Sequence, residues 1–166
     1  MKRFSLYLSL ACIVIWIASC LFDSVHSLLM LCGLSSSGHG LLQRIYFSFI
    51  HFGFLHLFVN IYSFLTLALL CRMRIWQFIA SLIVAASIPA PLLVDLPVVG
   101  LSAIIYAATG IIISSSCRFW SLLVINMLII SAGFFFPFVA APIHLWCFAL
   151  GLMFGFFTAK VHVRRH

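Results

Sequence analysis

The chain has no glutamate, and Asp23 and Asp95 are its only acidic residues. The missing glutamate excludes a zinc metalloprotease helix of the His-Glu-x-x-His kind, because that chemistry needs the carboxylate as general base. Neither aspartate lies inside an apolar run, which removes an intramembrane aspartyl dyad. Charge of either sign is scarce, at 7% of residues. The nine basic residues are spread in small groups between apolar runs, so the net charge of +7 does not describe a nucleic-acid-binding face. The six cysteines show no Cys-x-x-Cys spacing and most fall within apolar runs, so neither a disulfide framework nor a zinc site is expected. A Cys20 to Cys32 bond on the outer side is the one pairing left open. No metal or cofactor is expected, and His26, His39, His162 and His166 are read as structural rather than ligating.

What the chain has in abundance is apolar surface. Sixty-six per cent of its 166 residues are hydrophobic, and the mean hydropathy is +1.30, far outside the range of a soluble domain of this length. An integral membrane protein is expected, with the lipid bilayer as its first partner. Six apolar stretches approach the ~20 residues needed to cross ~30 Å of hydrocarbon. They cover residues 4–22, 45–70, 75–94, 99–116, 119–138 and 142–159. The expected fold is therefore all-α, a single six-transmembrane-helix domain over residues 1–166. Only the break at 23–43 is long enough for a structured loop, and its serines at 35–37 and Gly38-His39-Gly40 are turn chemistry.

Six crossings in alternation place Lys2, Arg3, Arg72, Arg74, Arg118, Lys160, Arg164 and Arg165 on one side and leave only Arg44 on the other. This is the positive-inside pattern, so a multi-pass protein of the inner (plasma) membrane with both termini cytoplasmic is expected. Asp23 and Asp95 then lie at outer ends. A competing reading applies to the amino terminus, where Lys2-Arg3, an apolar run and Ile17-Ala18-Ser19-Cys20 resemble a secretory signal ending in a lipoprotein-type cleavage box.

Three of the stretches carry a polar residue 16 positions before a basic one: His56 before Arg72, Ser102 before Arg118 and His144 before Lys160. At 1.5 Å per helical residue all three would share one depth, about 24 Å from the cytoplasmic anchors and roughly 6 Å below the outer surface. Hydroxyls and imidazoles are costly to bury in hydrocarbon without partners, so a common plane implies that they meet. With no carboxylate at that depth, the chemistry that remains is a serine activated by histidine, as a Ser102–His144 dyad rather than a triad.

On these residues the chain resembles the rhomboid family of intramembrane serine proteases. His51-Phe52-Gly53-Phe54-Leu55-His56-Leu57-Phe58-Val59-Asn60 is similar to the family's second-helix pattern of His, His and Asn. Gly100-Leu101-Ser102-Ala103 with Tyr106 and Gly110 is similar to the Gly-x-Ser-Gly-x-x-Tyr-x-x-x-Gly opening of the fourth helix. His144 and the later Gly151 match the sixth helix. The likeness runs from about residue 43 to 155 with the motifs in the family's order. It implies hydrolysis of transmembrane segments of other membrane proteins near the outer face, Ser102 as nucleophile and His144 as general base and acid. His56, Asn60 and the Ser102 amide are expected to bind the oxyanion, since each offers a hydrogen-bond donor. The resemblance also makes Tyr106 the ring that packs beneath His144, and the 134–136 phenylalanines part of a movable fifth helix and cap.

His51, about 140° from His56 around a continuous helix and nearer the outer surface, is expected to anchor a loop. Ala107, Gly110, Gly151 and Gly155 offer the small surfaces that bring the fourth and sixth helices together. Two positions depart from the family: Ala103 and Cys147 stand where glycine is usual. The family's Trp-Arg of the first outer loop aligns with Leu42-Gln43, with Arg44 one residue late, so that loop is expected to be anchored differently. Two other classes compete with the protease: a rhomboid-like pseudoprotease that binds transmembrane helices without cutting them, and a small transporter or channel.

Overall fold

The computed structural model describes residues 1–21, 25–37, 40–136 and 139–163, with the backbone alone at 25, 28 and 159–163. Asp23, Gly38, His39, Pro137, Phe138, Arg164, Arg165 and His166 lie outside the described residues, as do the side chains of Lys160 and His162; the expectations placed on them therefore have no structural counterpart here. The fold is all-helical: α1 Lys2–Leu21, α2 Val25–Cys32, α3 Leu41–Tyr46, α4 Phe54–Leu65, α5 Ile75–Ala86, α6 Ser102–Ile113, α7 Phe119–Gly133 and α8 Ala141–Val163. The one β-type contact among the described residues is an isolated antiparallel bridge between Leu34 and Val98.

Lys2–Leu21 and Ala141–Thr158 are long and apolar enough to cross a membrane, and a third candidate joins Leu41–Phe49 to Phe54–Leu70 across a bend of 89°. The shorter apolar helices α5, α6 and α7 have 12, 12 and 15 residues, or about 18–22 Å at the helical rise. Two of them, α5 and α6, end earlier than their apolar runs for a local reason. Pro89 and Pro91 lack the N–H that would extend α5, and the chain turns there through a 3-10 segment at Ala90–Leu92. Past α6, the hydroxyls of Ser114 and Ser115 bond to the carbonyls of Ile111 and Ile112, which satisfies those carbonyls locally.

The continuous helix expected over 45–70 is broken. Tyr46 is followed by a 3-10 turn at Phe47–Phe49, an extended Ile50 and a restart at Phe54, and Thr66–Leu70 closes in a π-helical turn. The carbonyl of Phe47, which residue 51 would use in an unbroken helix, instead accepts the N–H of Gly100 at 2.9 Å. The 23–43 loop is more helical than its turn residues imply, because α2 and α3 both form within or beside it.

Helix α6 is the centre of the bundle. Ala103, Ile104, Ala107, Ala108, Gly110, Ile111 and Ile113 are buried, which places neighbours on nearly every face of the helix. Its principal neighbours are α8 and α5. In contrast, α7 buries only Ile130 and Gly133. On α1 the buried face is Ser5, Ser9, Cys12 and Ser19, a seam of small residues of the kind that lets helices approach in an apolar medium. Large apolar side chains such as Leu10, Leu55, Tyr62, Trp120, Leu128 and Phe135 are exposed over the exterior. Area of that extent in one small chain suits an apolar surrounding.

Arg44, the lone basic residue assigned to the outer side, sends one guanidinium nitrogen to the carbonyls of Ala86 and Ile88, each at 2.7 Å. It thereby satisfies orphan carbonyls at the end of α5 with a charged donor, the favourable sign for a helix carboxy terminus. The six cysteines are free thiols, so Cys20 and Cys32 are not joined.

Candidate active site

The segment that delivers Ser102 is held by backbone bonds from two other stretches. Leu34 and Val98 exchange N–H to carbonyl bonds of 3.0 and 2.8 Å, Ser36 N donates to the Val94 carbonyl at 3.0 Å, and Gly100 N reaches Phe47. Ser36 Oγ also donates to Asp95 Oδ1 at 2.5 Å. Asp95 is the only carboxylate side chain among the described residues, and it is engaged in this loop. Chain direction then changes at Gly100, whose φ of +104° is a conformation that side chains resist. Two residues later α6 begins with Ser102.

Ser102, His56 and His144 all sit in the first turn of their helices, α6, α4 and α8. His144 Nε2 lies 3.0 Å from Ser102 Oγ, within hydrogen-bond reach. His144 is buried, and its ring stacks on Tyr106 with centroids 4.4 Å apart and planes inclined by 25°. A neutral imidazole so placed can take the hydroxyl proton, and the tyrosine face restricts its rotation.

His56 packs its edge against the turn before the serine. A methyl group at Gly100 would lie 2.7 Å from both Cε1 and Nε2 of His56 and 3.5 Å from Asn60 Nδ2. Asn60 is buried, and its amide donates to the His56 carbonyl at 2.8 Å. A carboxamide carries two N–H bonds, so one donor of Asn60 remains. Gly100, His56 and Asn60 thus converge at the start of α6, beside the backbone amide of Ser102.

His51 is placed differently from its expected position. The break at 50–53 removes the helical rotation that separated it from His56, and the two rings adjoin at 5.3 Å with a 60° tilt. His51 is 2% exposed, with the Phe49 backbone as a hydrogen-bonding neighbour of its ring.

The approach of α6 and α8 is made at backbone level. A methyl at Gly110 would meet the Phe148 carbonyl oxygen at 2.5 Å and Leu152 N at 2.7 Å, and one at Gly151 would collide with the Ala107 carbonyl. A methyl at Gly155 would collide with Ser114 Oγ and lie 2.8 Å from the Ile111 carbonyl oxygen. Ala103 and Cys147, the two departures from the family's glycines, are both buried in the main core, so their extra atoms are accommodated.

A cleft of about 260 Å³ opens between α4, α6 and α7, with Tyr62, Ser63, Thr66, Tyr106, Thr109 and Asn126 on its walls. The pins at Leu34, Phe47 and Asp95 and the docking of Arg44 were not foreseen from sequence. Arg44, the cation set apart from the other basic residues by the expected alternation of crossings, offered the only signal. Among the described residues no group of three or more histidine, cysteine or acidic side chains is arranged to hold a metal ion. No protein-family model matches the chain, and no curated protein matches it significantly.

Proposed function

We propose that this protein is a rhomboid-like intramembrane serine endopeptidase that hydrolyses transmembrane segments of other membrane proteins. The observation that carries the proposal is the 3.0 Å approach of His144 Nε2 to Ser102 Oγ, made across two apolar helices of a chain in which the one described carboxylate is engaged elsewhere. Burying a hydroxyl and an imidazole in such a core is costly unless they serve each other.

In the proposed reaction the His144 nitrogen removes the Ser102 proton while the oxygen attacks the peptide carbonyl. Donors from His56, Asn60 and the Ser102 amide meet the oxyanion, a contribution of about 3 kcal/mol per donor. The same histidine protonates the leaving amine, and water then releases the acyl group. An extended peptide must reach this point, so the substrate helix partly unwinds.

The topology proposed is six crossings with both termini cytoplasmic in the inner membrane. Helices α5 to α7 complete their crossings with non-helical ends, which rise more per residue than a helix does. The placement of basic residues supports that orientation. Along the continuous helix α8, 16 residues from His144 to Lys160 correspond to about 24 Å. That leaves the dyad near the outer boundary, where water has a short way to descend.

The test is cleavage of a fluorogenic transmembrane substrate in proteoliposomes by wild type, Ser102→Ala and His144→Ala. Cleavage by wild type alone, matched by fluorophosphonate labelling that requires Ser102, is the expected result. Equal turnover in all three, or none by a folded wild type across varied substrates, removes the endopeptidase; the latter with retained substrate binding leaves a helix-binding role.

A further inference from the structure

Nine basic residues stand against two acidic ones in this chain, and the one described carboxylate, Asp95, is bonded to Ser36. Counter-charge for most of the cations must therefore come from outside the protein. Arg72 and Arg74 are both exposed, and the turn that carries them is fixed. Between them Met73 is 1% exposed, and its N–H bonds to the Leu67 carbonyl at 3.1 Å, while that of Cys71 bonds to the Thr66 carbonyl at 3.2 Å. Arg72 takes a φ of +52°, a left-handed conformation that a residue with a β-carbon adopts at a cost. Helix α5 then opens with no acidic side chain in its first turn.

From this turn a groove of about 270 Å³ runs between α5 and α8. Its floor is the buried pair Ala80 and Val84, and its walls are the more exposed Trp76, Ile79, Ile83 and Phe154. The Trp76 and Phe154 rings, 6.4 Å apart between centroids, bridge the two helices. Trp76 lies two residues beyond Arg74, so the cations stand at one end of the groove. From Trp76 to Val84 the helical rise gives a length of about 12 Å.

We propose that this groove is the binding site of one anionic phospholipid, with an acyl chain lying along Ala80 and Val84 and the phosphate held by Arg72 and Arg74. The lining side chains are all apolar and suit hydrocarbon. Two guanidinium groups at one end suit a molecule with a single anionic end, and each can give a phosphate two parallel hydrogen bonds. A zwitterionic lipid offers the same chains with a compensated headgroup, so charge selects the anionic class. A second copy of this chain, inserted in the same direction, would bring its own arginines to the same level, and like charges oppose it. The site stands independently of any activity at Ser102.

Arg118 supplies an internal comparison. It precedes α7 as Arg74 precedes α5, and Phe119 beside it packs on Phe156 of α8 at 5.4 Å between centroids. Phe154 and Phe156 are about 200° apart around their helix, so α7 begins on the other side of α8 from the groove. No residue of α7 lines it.

The test is native mass spectrometry of the purified chain in a neutral detergent, titrated separately with dioleoylphosphatidylglycerol, dioleoylphosphatidylcholine and inorganic phosphate. One phosphatidylglycerol per chain should be retained at concentrations where the other two are not. Arg74→Gln should weaken that retention about fivefold, the share of one arginine at an anionic lipid surface, and Arg118→Gln should leave it nearly unchanged. Trp76→Ala should also weaken it, with every charge in place; if that variant does not fold, the two arginine variants, both changed at the surface, decide the matter. Equal retention of phosphatidylcholine and phosphatidylglycerol overturns the proposal, because the groove then takes any chain. Equal losses in Arg74→Gln and Arg118→Gln overturn it in favour of general surface charge, and phosphate binding as tight as the lipid's makes the arginines a free-anion site. A lipid-free dimer that Trp76→Ala abolishes would make the groove an interface between copies and would equally overturn it.

Discussion

Replacing Gly151 by alanine should separate Ser102 and His144, the proposed catalytic pair, without touching either. The added methyl would overlap the Ala107 carbonyl oxygen and lie 2.9 Å from its carbon and 3.0 Å from its Cα. These are backbone atoms of the central helix, which cannot rotate aside. Restoring ordinary contact requires α8 to move off α6 by about 1 Å, an overpacking of the kind that costs about 1–3 kcal/mol of stability. Carried to His144, that displacement stretches the 3.0 Å contact with Ser102 to about 4 Å, beyond hydrogen-bond range. A misplacement of this size costs about 10²-fold in turnover, or close to 2.7 kcal/mol of barrier. The assay is kcat and KM on a transmembrane substrate, with the rate of fluorophosphonate labelling of Ser102 as a second readout. Both kcat and labelling should fall together while KM holds. Gly53→Ala is the control, since its backbone is extended and a methyl there meets nothing within 4 Å. A folded Gly151→Ala protein with wild-type turnover and labelling would show that the α6 to α8 contact does not set the dyad, and the reasoning would fail.

Four further outcomes follow from the same geometry. Ser102→Ala and His144→Ala should each reduce turnover by roughly 10⁴–10⁶, and the double variant should be no worse than either, because the two act as a unit; additive losses in a double-mutant cycle would contradict this. His56→Ala and Asn60→Ala should each lower kcat by about 10²–10³ with little change in KM, and a loss confined to KM would move them out of the oxyanion role. Tyr106→Phe, which preserves the stack on His144, should keep most activity where Tyr106→Ala loses it; equal losses would mean that the hydroxyl, not the ring, matters. Arg44→Gln should lower stability by about 1–3 kcal/mol through loss of its charged bonds to Ala86 and Ile88, read as a shift of the thermal midpoint in detergent.

Residue chemistry was legible in the sequence wherever it depended on one helix at a time. The long apolar helices α1 and α8 and the small-residue faces of α6 and α8 follow from identity and helical spacing, whereas the stacking of Tyr106 on His144 was implied only by the family resemblance. Sixteen residues measure a helical distance only along α8, since α6 stops at Ile113 and α4 ends in a π-turn before Arg72. Ser102 and His144 nevertheless meet because each opens its helix at the same end of a tightly packed pair.

The features that sequence did not disclose are those in which a backbone group is taken by a distant stretch. Nothing in the run from Ile45 to Leu70 signals that Gly100 will claim the Phe47 carbonyl, yet that bond accompanies the break in the helix that sets His51 against His56. The same bond fixes the turn that presents Ser102. One long-range pairing therefore anchors the segment that leads into the helix of the proposed nucleophile and lies beside the break that sets His51 against His56, so a disturbance at Phe47 or Gly100 should be felt at both. Gly100→Ala is the direct case, combining an unfavourable φ with a methyl 2.7 Å from His56, and it should impair oxyanion binding even where the bundle still folds.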